Sequence, residues 1–246
     1  FFLLAGKMYA IFSILFGLSF FIQHDNQAQK GIDFRPRFLW RMILLMLFGI
    51  FDLLFYNGDI LFIYAVCGIL IIPLIRASDK VIWIFIALML IQPVELVYLI
   101  KGIINPDTMP LNLGSGKYYG AMLSAQSSGS ILDVAKVGLK YGLPANFLWA
   151  VENGRMTQNV LFFLIGIMLG RTRLFYNEGN NLKIWKKVLV GSVIAFAVLL
   201  PMYKYIPGLC ESRCVSNSFS VAFNMWKNLA MMFFIVAGVT LLYYNT

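Results

Sequence analysis

Tyr56-Asn57-Gly58-Asp59-Ile60-Leu61 joins two apolar runs, residues 38–55 and 60–75. Asn57-Gly58 is tight-turn chemistry. Asp59 stands directly before the second run, where it can cap a helix N-terminus. Apart from Arg41 near the start, the only charged side chain inside the two runs is Asp52. Such runs read as membrane spans, and an acid within them needs a partner or a wet cavity.

Working outward, further apolar runs lie at 8–22, 81–100, 146–170, 184–206 and 219–244. A helix needs roughly 20 apolar residues to cross the hydrocarbon core. The first run reaches back to Phe1 if Lys7 snorkels to the interface. The sequence therefore predicts an all-α, polytopic transmembrane helix bundle of about seven spans, with residues 1–246 as a single transmembrane domain. Composition agrees. The chain is 60% hydrophobic and 13% charged, against about 25% charged in soluble domains. The net charge of +9 comes from bases gathered in short loops, which is the positive-inside pattern rather than a nucleic-acid surface. No zinc-finger spacing, P-loop or Gly-x-Gly-x-x-Gly occurs, so no metal site is predicted. Phe1 opens within an apolar stretch without an initiator Met, and the chain reads as a fragment of a longer protein lacking first and last helices.

Loop charge sets the expected orientation. Lys30, Arg35 and Arg37 follow the first run, Arg76 and Lys80 the third, and Arg171, Arg173, Lys183, Lys186 and Lys187 the fifth. These loops are assigned to the cytoplasm, facing anionic lipid headgroups. The Asp59 turn and the connection at about 101–143 are then outside. Within that connection, residues 131–140 put apolar side chains at helical spacing opposite Asp133, Lys136 and Lys140. This predicts an amphipathic interfacial or loop helix.

Polar residues inside spans mark candidate chemistry. Asp52 falls in the outer third of the second run. In the fifth, Glu152, Arg155 and Asn159 are spaced to share one helix face, beside Trp149, Asn153 and Gln158. With Gln92 and Glu95 in the outer part of the fourth, they suggest an outward-facing polar vestibule around Asp52, Glu95, Glu152 and Arg155, with Asp59 at its rim. His24 is the single histidine, placed just past the first span. It is the weak candidate for acid–base catalysis. Cys210 and Cys214 flank Glu211-Ser212-Arg213 in an outer loop, where they could form a small disulfide.

Several of these residues resemble one family. Residues 12–18, Phe-Ser-Ile-Leu-Phe-Gly-Leu, then Arg37, Arg41 and Gly49, then Gly58-Asp59-Ile60-Leu61 with Tyr64-Ala65, are similar to the bacterial YeiB-like membrane proteins, domain of unknown function 418. Residues 149–174 resemble that family in their order: a polar-faced helix, an apolar run with Gly166 and Gly170, then Arg171 and Arg173. The resemblance implies residence in the bacterial cytoplasmic membrane. It also implies kinship with transmembrane acyltransferases, which carry an acyl group from a cytoplasmic donor such as acyl-CoA to a cell-envelope acceptor. Some members are described instead as transport proteins. Many relatives have a His a few residues before the Gly-Asp turn, where this chain reads Ile50-Phe51-Asp52-Leu53-Leu54 without one. Three functions follow as alternatives: acyl transfer, a small-solute transporter or permease, and a non-catalytic membrane scaffold.

Overall fold

The computed structural model describes residues 8–176 and 178–245. They form ten α-helices: α1 (Met8–Ala28), α2 (Arg35–Asp52), α3 (Leu61–Ile71), α4 (Asp79–Ile91), α5 (Pro93–Ile104), α6 (Ser115–Ser128), α7 (Ile131–Glu152), α8 (Arg155–Arg171), α9 (Asn181–Tyr205) and α10 (Arg213–Asn245). No strand occurs among the described residues, so the all-α expectation holds. A start of the first span at Phe1, with Lys7 snorkelling, lies outside the described residues.

Among the described residues, four segments are long and apolar enough to cross a membrane: Met8–Ala28, Asp79–Ile104, Asn181–Leu209 and Arg213–Tyr244. This is a membrane protein. The other three expected crossings differ for identifiable reasons. α2 begins with Arg35, Arg37 and Arg41 and ends on Asp52, which is too much charge for a simple span. The apolar Leu61–Arg76 is shorter, because α3 passes into a 3-10 turn at Ile72–Arg76 containing Pro73. The expected span at 146–170 is two helices, parted at Asn153–Gly154, where Gly154 has φ +63°.

Other boundaries also moved. Residues 131–140 are the first half of the 22-residue α7 rather than a separate helix. A capping box closes its start, with Ser130 and Asp133 exchanging side-chain and backbone hydrogen bonds. α6 was not anticipated at all. α1 continues to Ala28, so His24 sits on a helix and not in a loop.

Contacts divide the chain into two compact units. The first combines the N-terminal stretch through Asp25 with Ala77–Pro110 and the chain from Leu161 onward. In it α10 packs along α9 and α5. Trp226 Nε1 donates to the Leu90 carbonyl at 2.9 Å, and Ser212 Oγ to the Pro106 carbonyl at 3.0 Å. α1 and α8 meet backbone to backbone: a Cβ on Gly17 would strike the Phe163 carbonyl, and one on Gly166 the Ile14 carbonyl. Reciprocal glycines of this kind let membrane helices approach closely. Ile84, Ile103 and Ile194 project outward, as lipid-facing side chains do.

The second unit is Asn26–Arg76 with Leu111–Val160. α2 pairs with α3, and α6 with α7. α7 lies on the chain just after α2, where a Cβ at Gly138 would strike the Leu54 carbonyl.

Candidate functional site

In the second unit the turn quoted first is held from three sides. Asp59 Oδ1 accepts the Leu61 N–H and Oδ2 the Phe62 N–H, each at 2.9 Å. These are donors that a helix start otherwise leaves unpaired. Asn146 Nδ2 on α7 donates to the Asp59 carbonyl at 2.7 Å. On α6, Gln126 Nε2 donates to the Phe55 carbonyl and to Asn57 Oδ1, both at 3.1 Å. Asn57 Nδ2 returns a bond to Gln126 Oε1. The Tyr119 hydroxyl donates to the Asn57 carbonyl at 3.3 Å. Burial pushes the Asp59 carboxyl above its ordinary range, while the Phe62 and Leu61 amides pull it back and nearby Asp52 adds to the rise. Asp52 is half-buried.

Glu152 ends α7. It accepts the Leu113 N–H at 2.5 Å, the Ser115 N–H at 3.2 Å and the Ser115 hydroxyl. Its carboxylate therefore serves the start of α6. Arg155 opens α8, donates to Gln158 Oε1 at 3.3 Å and lies over the Trp149 ring, 5.7 Å from its centroid. Because the helix breaks between them, Glu152, Arg155 and Asn159 do not form the continuous face that their spacing predicts. Asn159 is buried on α8.

Glu95 belongs to the first unit, beside a second break. α4 has 13 residues and α5 has 12, and Gln92 between them has φ +53° and ψ +75°. Pro93 explains the interruption. It lacks an N–H, its ring opposes the carbonyl one turn back, and it disfavours the helical conformation for the preceding residue. A left-handed backbone is unusual for a non-glycine residue and tends to occur where a site requires it. The segment spans Asp79–Ile104, so the break falls near its middle and not in the outer part, as expected from the shorter run.

Several buried polar atoms here lack a hydrogen-bond partner among the described residues. Gln92 is 1% exposed, Glu95 5% and Ser218 3%. Both amide atoms of Gln92, Glu95 Oε1 and Ser218 Oγ make no hydrogen bond among the described residues. A buried unsatisfied polar group costs about 1–3 kcal/mol. Glu95 and Ser218 line a cavity of about 450 Å³, walled by Leu90, Leu99, Phe219 and Trp226 among others. Another cavity in this unit, about 290 Å³, is lined by Trp83, Trp185 and Phe233, with Thr172 as its polar residue. Thr172 already donates to the Met168 carbonyl at 2.7 Å. The larger cavity is thus the one with free polar handles. The sequence signal for it was Gln92-Pro93 in an apolar run; Ser218 gave none.

Residues 169–246 match the family described as "Protein of unknown function (DUF418)". That stretch of the chain is similar to the DUF418 family. The resemblance to domain of unknown function 418 expected from the sequence is borne out over those residues. The matched stretch takes in the end of α8, α9 and α10, and so contains Ser218, Phe219 and Trp226. Two curated bacterial relatives are similar to this chain. An uncharacterized 39.9 kDa protein in the amylase 3' region of Bacillus acidopullulyticus is 33% identical over 81 residues, 33% of this chain and 23% of that protein. The uncharacterized protein YxaH of Bacillus subtilis (strain 168) is 23% identical over 205 residues, 78% of this chain and 50% of that protein. The chain spans half the length of these relatives or less. No solved structure matches.

At the head of the matched stretch, Arg171 donates to Asp79 Oδ1 at 2.5 Å and to the Ala77 carbonyl at 2.9 Å. Arg173 pairs with Glu178 at 3.1 Å. Further inside, Cys210 and Cys214 are both free thiols, as is Cys67. The pair considered for a disulfide instead points to separate carbonyls, Cys210 Sγ to Ile206 at 3.4 Å and Cys214 Sγ to Tyr98 at 3.2 Å. In the other unit Arg35 and Arg76 reach Asp33 at 2.8 and 3.5 Å. The Arg35 bonds hold the Asp33 carboxyl at about 2. Among the described residues no three His, Cys, Asp or Glu side chains gather as metal ligands.

Proposed function

We propose that this protein is a carrier of the bacterial cytoplasmic membrane that binds a small solute beside the α4–α5 break and moves it across the bilayer. The observation that carries this reading is the interrupted Asp79–Ile104 segment, with the Gln92 amide, Glu95 Oε1 and Ser218 Oγ buried near the break and without hydrogen bonds among the described residues. Discontinuous membrane helices characteristically form the solute sites of carriers. Non-helical backbone at membrane depth is tolerated where protein or a cavity covers it. An ionisable group inside a span marks a pathway or binding site by default.

The acyltransferase reading, with acyl-CoA at the cytoplasmic face, has less support. Near the break, the buried groups without a hydrogen bond among the described residues are a carboxyl oxygen, an amide and a hydroxyl, whereas His24 lies in the last turns of α1. In the carrier reading Arg171, Arg173, Lys183, Lys186 and Lys187 face the cytoplasm and its anionic lipids.

Cysteine accessibility tests the proposal. Ala222, on the cavity wall, is replaced by Cys in the full-length protein with Cys67, Cys210 and Cys214 changed to Ala. A membrane-impermeant maleimide should label position 222 from either side, in right-side-out and in inverted vesicles. Labelling from one side alone, or from neither, overturns the carrier reading.

A further inference from the structure

We propose that the cavity at the α4–α5 break takes a hydrophobic organic cation, with Glu95 as its counter-ion. This rests on the carrier reading of the same site and adds the class of solute. Glu95 is the one charged residue on the cavity wall, and its Oε1 has no partner among the described residues. An anion would meet a carboxylate and no base. A sugar or other polyol would bury many hydroxyls against a wall whose polar side chains are Glu95 and Ser218. Metal cations of the calcium type require six to eight oxygen ligands, and this wall offers too few. An organic cation brings a charge for the carboxylate and an apolar body for Leu90, Leu96, Leu99 and Ala222.

The aromatic residues strengthen this match. Phe219 and Trp226 both line the cavity. Phe219 stacks on Phe223 with centroids 5.7 Å apart, and Phe223 meets Trp226 edge-on at 5.6 Å. The Trp226 indole N–H is engaged by the Leu90 carbonyl at 2.9 Å, which fixes the ring in the wall. Fixed aromatic faces attract cations through the ring quadrupole, most strongly where water is excluded. The volume of about 450 Å³ falls within the roughly 300–1,000 Å³ usual for small-molecule sites.

Two probes of the same shape and opposite charge test the assignment. Saturable binding of tetraphenylphosphonium and of tetraphenylborate is measured on the full-length protein in detergent. Tetraphenylphosphonium should bind saturably and tetraphenylborate should not. Glu95→Gln should weaken phosphonium binding at least about thirtyfold, as expected when one partner of a buried charge pair is removed. Phe219→Leu should weaken it about fivefold through loss of a cation–π face. Thermal unfolding of each variant verifies that the fold is kept. Equal binding of both ions, binding unchanged in Glu95→Gln, or no saturable phosphonium binding overturns the cation assignment. Two-sided labelling at position 222 combined with any of those results leaves a carrier of another solute class. Failure of that labelling removes the carrier itself.

Discussion

The two helix breaks place an acid beside each interruption and use it in opposite ways. At Asn153–Gly154, Glu152 takes three hydrogen bonds from Leu113 and Ser115, and the break is an internally satisfied junction. At Gln92–Pro93, the amide of Gln92 and one oxygen of Glu95 are buried with no hydrogen-bond partner among the described residues. A charged residue in a membrane chain therefore does not announce a functional site by itself. What distinguishes the two is whether local donors already occupy the carboxylate.

Cys67 in the second unit and Cys214 in the first are fully buried. A thiol-reactive dye can therefore follow the unfolding of each unit in single-cysteine backgrounds. The largest effect is expected from Gly138→Ala, whose new methyl would strike the Leu54 carbonyl. Roughly 3 kcal/mol should be lost, with an early Cys67 signal; an unchanged midpoint would show that α7 does not press on the turn. Glu95→Leu should go the other way. Removing an unsatisfied buried oxygen should raise the Cys214 midpoint, equivalent to about 2 kcal/mol, while phosphonium binding disappears. A lower midpoint would mean that Glu95 is structural after all, and the contrast between the breaks would collapse. Glu152→Ala should cost about 1 kcal/mol, as loss of a helix cap does, and leave phosphonium binding unchanged. Altered binding there would bring Glu152 back as a solute contact.

Asp33→Asn should have the smallest effect. Arg35 holds the Asp33 carboxyl down, to about 2 from 3.8, so any contribution is present above pH 3.8 and fades as the pH falls towards 2. The pair is solvent-exposed, and exposed pairs contribute little. Melting at pH 7 should match the parent protein, and a clear drop would show that the Arg35–Asp33 pair helps to hold its unit.

Apolar run length was enough to locate α1, α9 and α10, because crossing a bilayer requires it. Charge at both ends of α2 could be read from Arg35, Arg37, Arg41 and Asp52, yet the run still looked like a span. α6 was illegible. Ser115–Ser128 is rich in Ser, Gly and Ala, with no apolar stripe, and its contacts to the Asp59 turn come from Tyr119 and Gln126. Such long-range bonds leave no periodic trace. Both breaks were written as punctuation, Asn153-Gly154 and Gln92-Pro93, but the surrounding apolar runs outweighed them. At Glu95 the acid was legible and its isolation was not, since that depends on Ser218, more than a hundred residues away in the chain.

The joint at Gln92 also bears on bilayer thickness. Asp79–Ile104 has 26 residues, about 39 Å as one straight helix at 1.5 Å per residue. The hydrocarbon core is roughly 30 Å, and a rigid rod of that length must tilt as a whole. A rod jointed near its midpoint can lean one half while the other stays upright. Its effective span can therefore adjust when lipid composition changes, without opening helical hydrogen bonds that the joint has already given up.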